Sequence, residues 1–291
     1  MTRADIFARL GLGTAQFGQA YGVSNARGRV PVEEVAAILR RCAQAGMRTL
    51  DTAPGYGDAE TVLGSCVGLT APFRIVTKTI LLRDGLDAVL NRARRSVEIL
   101  RRRPVDFLLV HAARDLASPE GDRLWRELRA LRDEGLFRGL GISAYAAEDP
   151  VALAQRYRPD AMQIPLSLID QRLVHNGALG ALKDLGVEIH ARSIFLQGLL
   201  FMAEEKLPPK LRGAAPQLHA IRERIDEAGS TPLAVALAFA LGRPEVDVAL
   251  VGVTVDSELE EILDAAARPA PAIDWAACAM DDEMVLTPSL W

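Results

Sequence analysis

Eight short apolar runs recur along the 291-residue chain, and nearly every interval between them reads as a helix. That alternation constrains the fold more than any single residue does. The runs fall at 10–15, 48–52, 74–78, 106–111, 139–143, 161–164, 187–191 and 246–251. Between the first two, Pro31 sits in its tolerated first-turn position, Val35, Leu39 and Cys42 share a stripe, and Gly46 follows the end. Residues 59–67, 123–134, 148–157, 176–185, 232–241 and 258–266 also read as helices. Leu86, Val89, Leu90, Ala93, Val97 and Leu100 repeat at three and four, which marks a long amphipathic helix. Parallel strands need such crossovers, and eight of them close a sheet, so the expectation is a (β/α)8 barrel, with a doubly wound open sheet as the alternative. Closed barrels of this kind occupy about 250 residues as one domain, so residues 1–291 are expected to form one.

Three successive runs end on ionisable residues, Asp51, Lys78 and His111, and the next three meet their loops at Ser143, Gln163 and Ser193. An isolated Asp opening a loop can be a helix cap, but packing does not explain the repetition. In a barrel the carboxyl ends of the strands form the active-site mouth, so these residues converge, and Tyr56 joins them from the loop after Asp51. A phenol has a pKa of about 10, and a nearby ammonium is expected to lower it by about one to three units. Asp51 can hold Lys78 protonated, and His111 can position a substrate oxygen. The set suits proton donation to a carbonyl oxygen, with hydride supplied by a cofactor because no side chain can donate one. Two other activities fit the residues. Lys78 can serve as a Schiff-base amine in a barrel aldolase, although pairing with Asp51 opposes this, and a barrel can sense a nucleotide without catalysis.

The residues Gly11-Leu12-Gly13-Thr14, Asp51-Thr52-Ala53 with Tyr56-Gly57 and Glu60, Val76-Thr77-Lys78, Leu109-Val110-His111, Gly141-Ile142-Ser143, Gln163-Ile164-Pro165 and Val251-Gly252 occur in an order and spacing that resembles the aldo-keto reductase superfamily. Gly13-Thr14-Ala15-Gln16-Phe17-Gly18, Asp170-Gln171-Arg172 and the stretch from Arg192 to Leu200 look most like a bacterial branch associated with carbohydrate metabolism. The resemblance implies a catalytic tetrad of Asp51, Tyr56, Lys78 and His111. It also implies NADP(H) or NAD(H), bound extended without a Rossmann domain. The cofactor would lie against Gly13, Thr14, Asp51, Ser143, Gln163, Arg192, Ser193, Phe195, Gln197, Gly198, Gly252, Val253, Thr254, Glu258 and Glu261. Phe17, Tyr21 and Tyr145 are candidates for the wall of the substrate pocket beside Tyr56 and His111. Ala144 departs from the family's usual asparagine, and Arg192 stands where many members stack an aromatic ring on the nicotinamide. Arginine can stack through its planar guanidinium, yet its charge can instead hold an anionic group of the substrate.

The implied cofactor raises the question of its ribose phosphate. Family members preferring NADP place a basic residue just beyond the glycine after the eighth strand, where this chain has Thr254 and Val255. Between Gly252 and Asp264 there are five acids and no lysine or arginine, so NAD(H) is expected to be usable, unless Lys210 or Arg212 reaches the phosphate from the irregular segment 208–213. That segment is also the expected lid.

The net charge of −4 leaves no basic surplus for nucleic acid, and Arg92, Arg94, Arg95, Arg101, Arg102 and Arg103 read as a solvated helix face. Cys42, Cys66 and Cys278 have no ligand spacing and read as free thiols in a reducing, cytoplasmic setting. No metal site is expected. The N-terminus does not resemble a signal peptide, and the most apolar run, 232–241, is too short to span a bilayer. The partner is therefore expected to be a small carbonyl compound, with oligomeric state left open. His190 reads as a satisfied core histidine, His175 and His219 as solvated, and Trp125 and Trp275 as packing residues. Trp291 either folds over the mouth or frays.

Overall fold

The computed structural model describes residues 2–291, apart from the side chains of residues 67 and 289. Its strands are β1 (Leu10–Gly13), β2 (Thr49–Asp51), β3 (Arg74–Lys78), β4 (Val105–Val110), β5 (Phe137–Ser143), β6 (Ala161–Pro165), β7 (Glu188–Arg192) and β8 (Val248–Gly252). They pair in sequence order and all in parallel, and β8 closes on β1, giving the (β/α)8 barrel. The register sets Gly13 beside both Asp51 and Gly252, Ser143 beside Gln163, and Pro165 beside Arg192. One end of the barrel thus collects the candidate residues.

The barrel interior is filled by Val76, Leu109 and Ala161, with Phe107 against them. Filling it from β4 demands room on β5. A Cβ on Gly139 would come within 2.6 Å of the Phe107 ring, and one on Gly141 within 2.3 Å of Leu109. The two inward glycines of β5 are the counterpart of two large neighbours. Most of the core lies between the sheet and the helices. Helix Val32–Ala45 starts behind Pro31 and stops at Gly46, whose φ of 86° few other residues adopt readily. Helix Pro232–Leu241 is apolar nearly all round because it is buried between the barrel and its neighbours, and the Thr231 side chain accepts from the Ala234 N–H to cap it.

Several expectations need correction. Segment 208–213 is not a lid. Residues Glu204–Lys206 and Pro209–Ala214 form 3-10 turns, Leu207 and Leu211 are sunk in the core, and Lys210 donates to the Leu290 carbonyl at 2.9 Å. Trp291 does not cover the mouth, since its indole N–H donates to the Met284 carbonyl at 2.8 Å away from the barrel mouth. A helix at Ala215–Glu227 has no counterpart among the expected elements, although Leu218, Ile221 and Ile225 carry a helical stripe. The arginine-rich face is only partly solvated, because Arg92 pairs with the buried Glu60 at 2.5 Å and Arg102 binds the carbonyls of Thr70, Ala71 and Phe73. Among the described residues no helix is long and apolar enough to cross a membrane.

Candidate active site

Asp51 and Lys78 end adjacent strands, so their side chains rise side by side. Lys78 is 1% exposed, and its ammonium donates to both Asp51 carboxylate oxygens at 2.7 and 2.6 Å and to the Thr52 carbonyl at 3.1 Å. It also lies 4.9 Å from the centre of the Tyr56 ring. Burial alone would lower the Lys78 pKa, but Asp51 and Tyr56 more than offset it, so the group is raised and remains an ammonium. An amine so held is a poor nucleophile, which counts against Schiff-base chemistry.

Burial pushes the Tyr56 phenol upward and outweighs the opposing ammonium of Lys78. The expected depression is therefore reversed, for the reason that the phenolate loses more hydration in the pocket than the paired ammonium returns. His111 stands edge-on to Tyr56 with ring centres 6.0 Å apart. Burial, reinforced by Lys78, lowers its pKa to about 4, so the imidazole is neutral near pH 7 and retains one N–H donor.

The loop bearing Tyr56 is fixed from three sides. Tyr56 N–H donates to the Ala53 carbonyl at 3.0 Å. Gly18 packs so closely beneath the turn that a Cβ there would lie 1.8 Å from the Tyr56 carbonyl oxygen. Glu60, in the next helix, accepts from Thr77 Oγ1 at 2.6 Å and from Arg92, which ties the loop to the strand carrying Lys78.

A cavity of about 1090 Å³ opens above this group. It is lined by Asp51, Tyr56, His111, Tyr21 and Tyr145, and by Gly13, Ser143, Gln163, Arg192, Ser193, Phe195, Gln197, Gly198, Gly252, Thr254, Glu258 and Glu261. Four expected residues are not on its wall. Phe17 is fully buried in the core and is no pocket residue, because its turn faces inward beneath the Tyr56 loop. Val253 is likewise buried. Thr14 acts from behind, donating through N–H and Oγ1 to the Asp51 carbonyl, each at 2.9 Å. Lys78 lies beneath Tyr56 rather than on the surface.

Gln163 donates through Nε2 to Asp51 Oδ1 at 2.7 Å, so it also steadies the Asp51–Lys78 pair. Glu258 folds back, accepting from Thr254 N–H at 2.6 Å and from Thr254 Oγ1 at 3.0 Å. The segment after β7 bends through positive φ at Ser193, Leu196, Gln197 and Gly198. Its Gln197 accepts from Val23 N–H at 3.1 Å and from Ser24 Oγ at 3.0 Å, joining the loops after β7 and β1.

Gln16 and Arg114 also line the cavity, and neither was anticipated as a site residue. Gln16 continues the glycine-rich motif after β1 and was legible there, whereas nothing in the sequence aims Arg114 inward. His190 is only half satisfied, with Nε2 2.8 Å from Glu188 and a buried Nδ1 without a partner among the described residues.

The cavity is slightly larger than the roughly 300–1,000 Å³ that encloses a drug-sized ligand, and it extends from His111 to Glu261 with the exposed backbone of Gly252 between. Those dimensions and that glycine fit an extended nicotinamide dinucleotide together with a small substrate.

No curated protein matches the chain. Among solved structures it is similar to the holo form of aldo-keto reductase AKR11C1 from Bacillus halodurans, with 18% identity, a TM-score of 0.73, and coverage of 90% of this chain and 87% of that one. It is also similar to aldose reductase from Giardia lamblia, with 18% identity, a TM-score of 0.68, and coverage of 93% and 90%. At that identity the likeness concerns the fold. The profile of the aldo/keto reductase family, however, matches residues 9–280, and the chain belongs to that family of NAD(P)-dependent oxidoreductases.

Proposed function

We propose that the chain interconverts an aldehyde or ketone and its alcohol, with Tyr56 as the proton donor to the carbonyl oxygen and as the acceptor in reverse. The contact that supports this reading is the half-buried Tyr56 ring, its centre 4.9 Å from an ammonium that Asp51 keeps charged. A bound reduced nicotinamide would supply the hydride, and Ser143 and Gln163 are the residues that would hold its ring. Neutral His111 donates a hydrogen bond to the same carbonyl oxygen and orients it toward Tyr56. As negative charge grows on that oxygen, Tyr56 gives up its proton. Lys78 then stabilises the phenolate left behind.

The test is a nicotinamide absorbance assay over aldoses, ketones and small aldehydes, repeated with Tyr56→Phe. Loss of the acid is expected to lower turnover by about two to four orders of magnitude while cofactor affinity stays unchanged. Parent-level turnover in the variant would remove Tyr56 from the mechanism.

A further inference from the structure

Arg192 ends β7 with its guanidinium on the cavity wall, and its surroundings are unusual for a half-buried cation. Among the described residues no carboxylate lies within 4.0 Å of it. Its hydrogen bonds are two long ones of 3.4 Å, to Ser193 Oγ and to the Ala144 carbonyl. One face is occupied, since the guanidinium carbon sits 4.3 Å from the centre of the Tyr145 ring. That stack fixes the plane of the fork and leaves most of its five N–H donors unused. The charge is also felt by the reacting groups, as it contributes to the lowering of His111 and opposes the upward shift of Tyr56. Arg114, three residues beyond His111, lines the same cavity and likewise has no ion-pair partner among the described residues.

Besides Asp51, which Lys78 holds, and Glu258 and Glu261 beside Thr254, two acids among the described residues line the cavity. Glu148 accepts from the Tyr145 N–H at 2.7 Å, and Asp84 lies 3.9 Å from Arg83. Neither reaches Arg192. A partly desolvated guanidinium with a fixed plane and open donors is suited to a carboxylate or phosphate, which satisfies two of its N–H groups at once.

We infer that Arg192 selects a carbonyl substrate that also carries an oxyanion, a carboxylate or a phosphate, by pairing with it while the carbonyl faces Tyr56 and His111. The inference rests on the proposed reduction at this site. Its first test is therefore chosen to work without turnover. Benzoate and the neutral benzamide are titrated into the protein by calorimetry, in the parent and in Arg192→Met. Benzoate is expected to bind at least tenfold more tightly than benzamide in the parent, and the difference is expected to vanish in the variant. Equal binding of the two in the parent would overturn the inference whether or not the protein reduces carbonyls.

The second test compares 4-carboxybenzaldehyde with 4-carbamoylbenzaldehyde, and glyceraldehyde 3-phosphate with glyceraldehyde. The charged member is expected to have the higher kcat/KM by tenfold or more in the pair whose oxyanion the site prefers, chiefly through KM, and Arg192→Lys is expected to keep part of that gain. Reduced-cofactor affinity, read by fluorescence, is expected to change less than twofold in Arg192→Met. If that variant instead weakened the cofactor and slowed charged and neutral substrates equally, Arg192 would be a cofactor-holding residue and the inference would fail.

Discussion

For the single side chain at Tyr56, the direction of its shift decides which protonation state the site offers at neutral pH. Residue types suggested a phenol drawn down by Lys78, whereas burial in fact holds it above its ordinary value of 10. The phenol is then protonated across the physiological range, which is the state that donates in reduction. His111, lowered to about 4, is neutral over the same range. The carbonyl reduction rate is thus expected to be level from about pH 5 to about pH 9, and to fall at high pH as Tyr56 ionises and below about pH 4 as His111 protonates. A pH profile of kcat/KM checks this, and a step near pH 6.5 would show His111 titrating at its ordinary value. The four residues were legible because each ends a strand or follows one closely. The direction of the Tyr56 shift was not, since desolvation depends on what packs around the ring. The inward turn at Phe17 is hidden from the sequence for the same reason, as an aromatic in a loop gives no sign of which way its turn faces.

Between elements, the close approach of the turn after β1 to the turn bearing Tyr56 sets the position of the phenol. Gly18→Ala places a methyl 1.8 Å from the Tyr56 carbonyl oxygen and 2.4 Å from the Ala59 nitrogen. Both are backbone atoms, so the turn must move. The variant is expected to lose about 1–3 kcal/mol of stability, as overpacked sites do, and to lose activity more steeply than a remote core variant of equal stability. Denaturant melts paired with turnover measure the two effects. A second element-scale expectation concerns the opposite end of the barrel, where Glu188 on β7 pairs with Arg74 on β3 at 2.6 Å and with His190 at 2.8 Å. Burial raises the Glu188 pKa, but those two partners more than offset it and hold the value at about 2, below its ordinary 4.5. A depressed carboxylate pKa stabilises the fold above about pH 4.5, and that contribution drains away as pH falls toward 2. The gap in Tm between the parent and Glu188→Gln is accordingly expected to shrink between about pH 5 and about pH 3; a constant gap would remove the pair from the pH dependence. Strands and capped helices were legible from periodicity and punctuation. Helix Ala215–Glu227 is not legible, because Pro216 and a polar majority hide its stripe of Leu218, Ile221 and Ile225. The adjacent Pro208 and Pro209, which make 208–213 look mobile, instead separate two 3-10 turns anchored by Leu207 and Leu211.

Across the whole molecule, closure of the barrel sorts charges that sequence proximity had grouped together. The five acids between Gly252 and Asp264 suggested a uniformly negative cofactor end, but the fold turns three of them elsewhere. Asp256 and Glu260 meet Arg41 at 2.5 and 3.6 Å, and Asp264 meets Arg3 at 3.2 Å. Glu258 and Glu261 remain on the cavity wall beside Gly252, Thr254 and Ile262. Of these, Glu258 is committed to the Thr254 N–H and hydroxyl, so the turn after β8 presents carboxylate and no cation. Neither Lys210 nor Arg212 lines the cavity, which removes the two long-loop cations considered for a ribose phosphate. With the nicotinamide over Tyr56, an extended dinucleotide places its adenosine at this far end. A 2′-phosphate would bring close to two negative charges against Glu258 and Glu261, and with no cation on that turn to neutralise them the contact is repulsive. An unphosphorylated ribose can instead donate its hydroxyls to Glu261 or to the outer lone pairs of Glu258. NADH is therefore expected to bind at least as tightly as NADPH, and Glu261→Arg to shift the balance toward NADPH. Fluorescence titration of both reduced cofactors with the parent and the variant measures this without any carbonyl substrate. NADPH binding a hundredfold more tightly than NADH in the parent would refute the charge argument, and would point to Arg27, the cavity-lining arginine of the loop after β1, as the phosphate's partner.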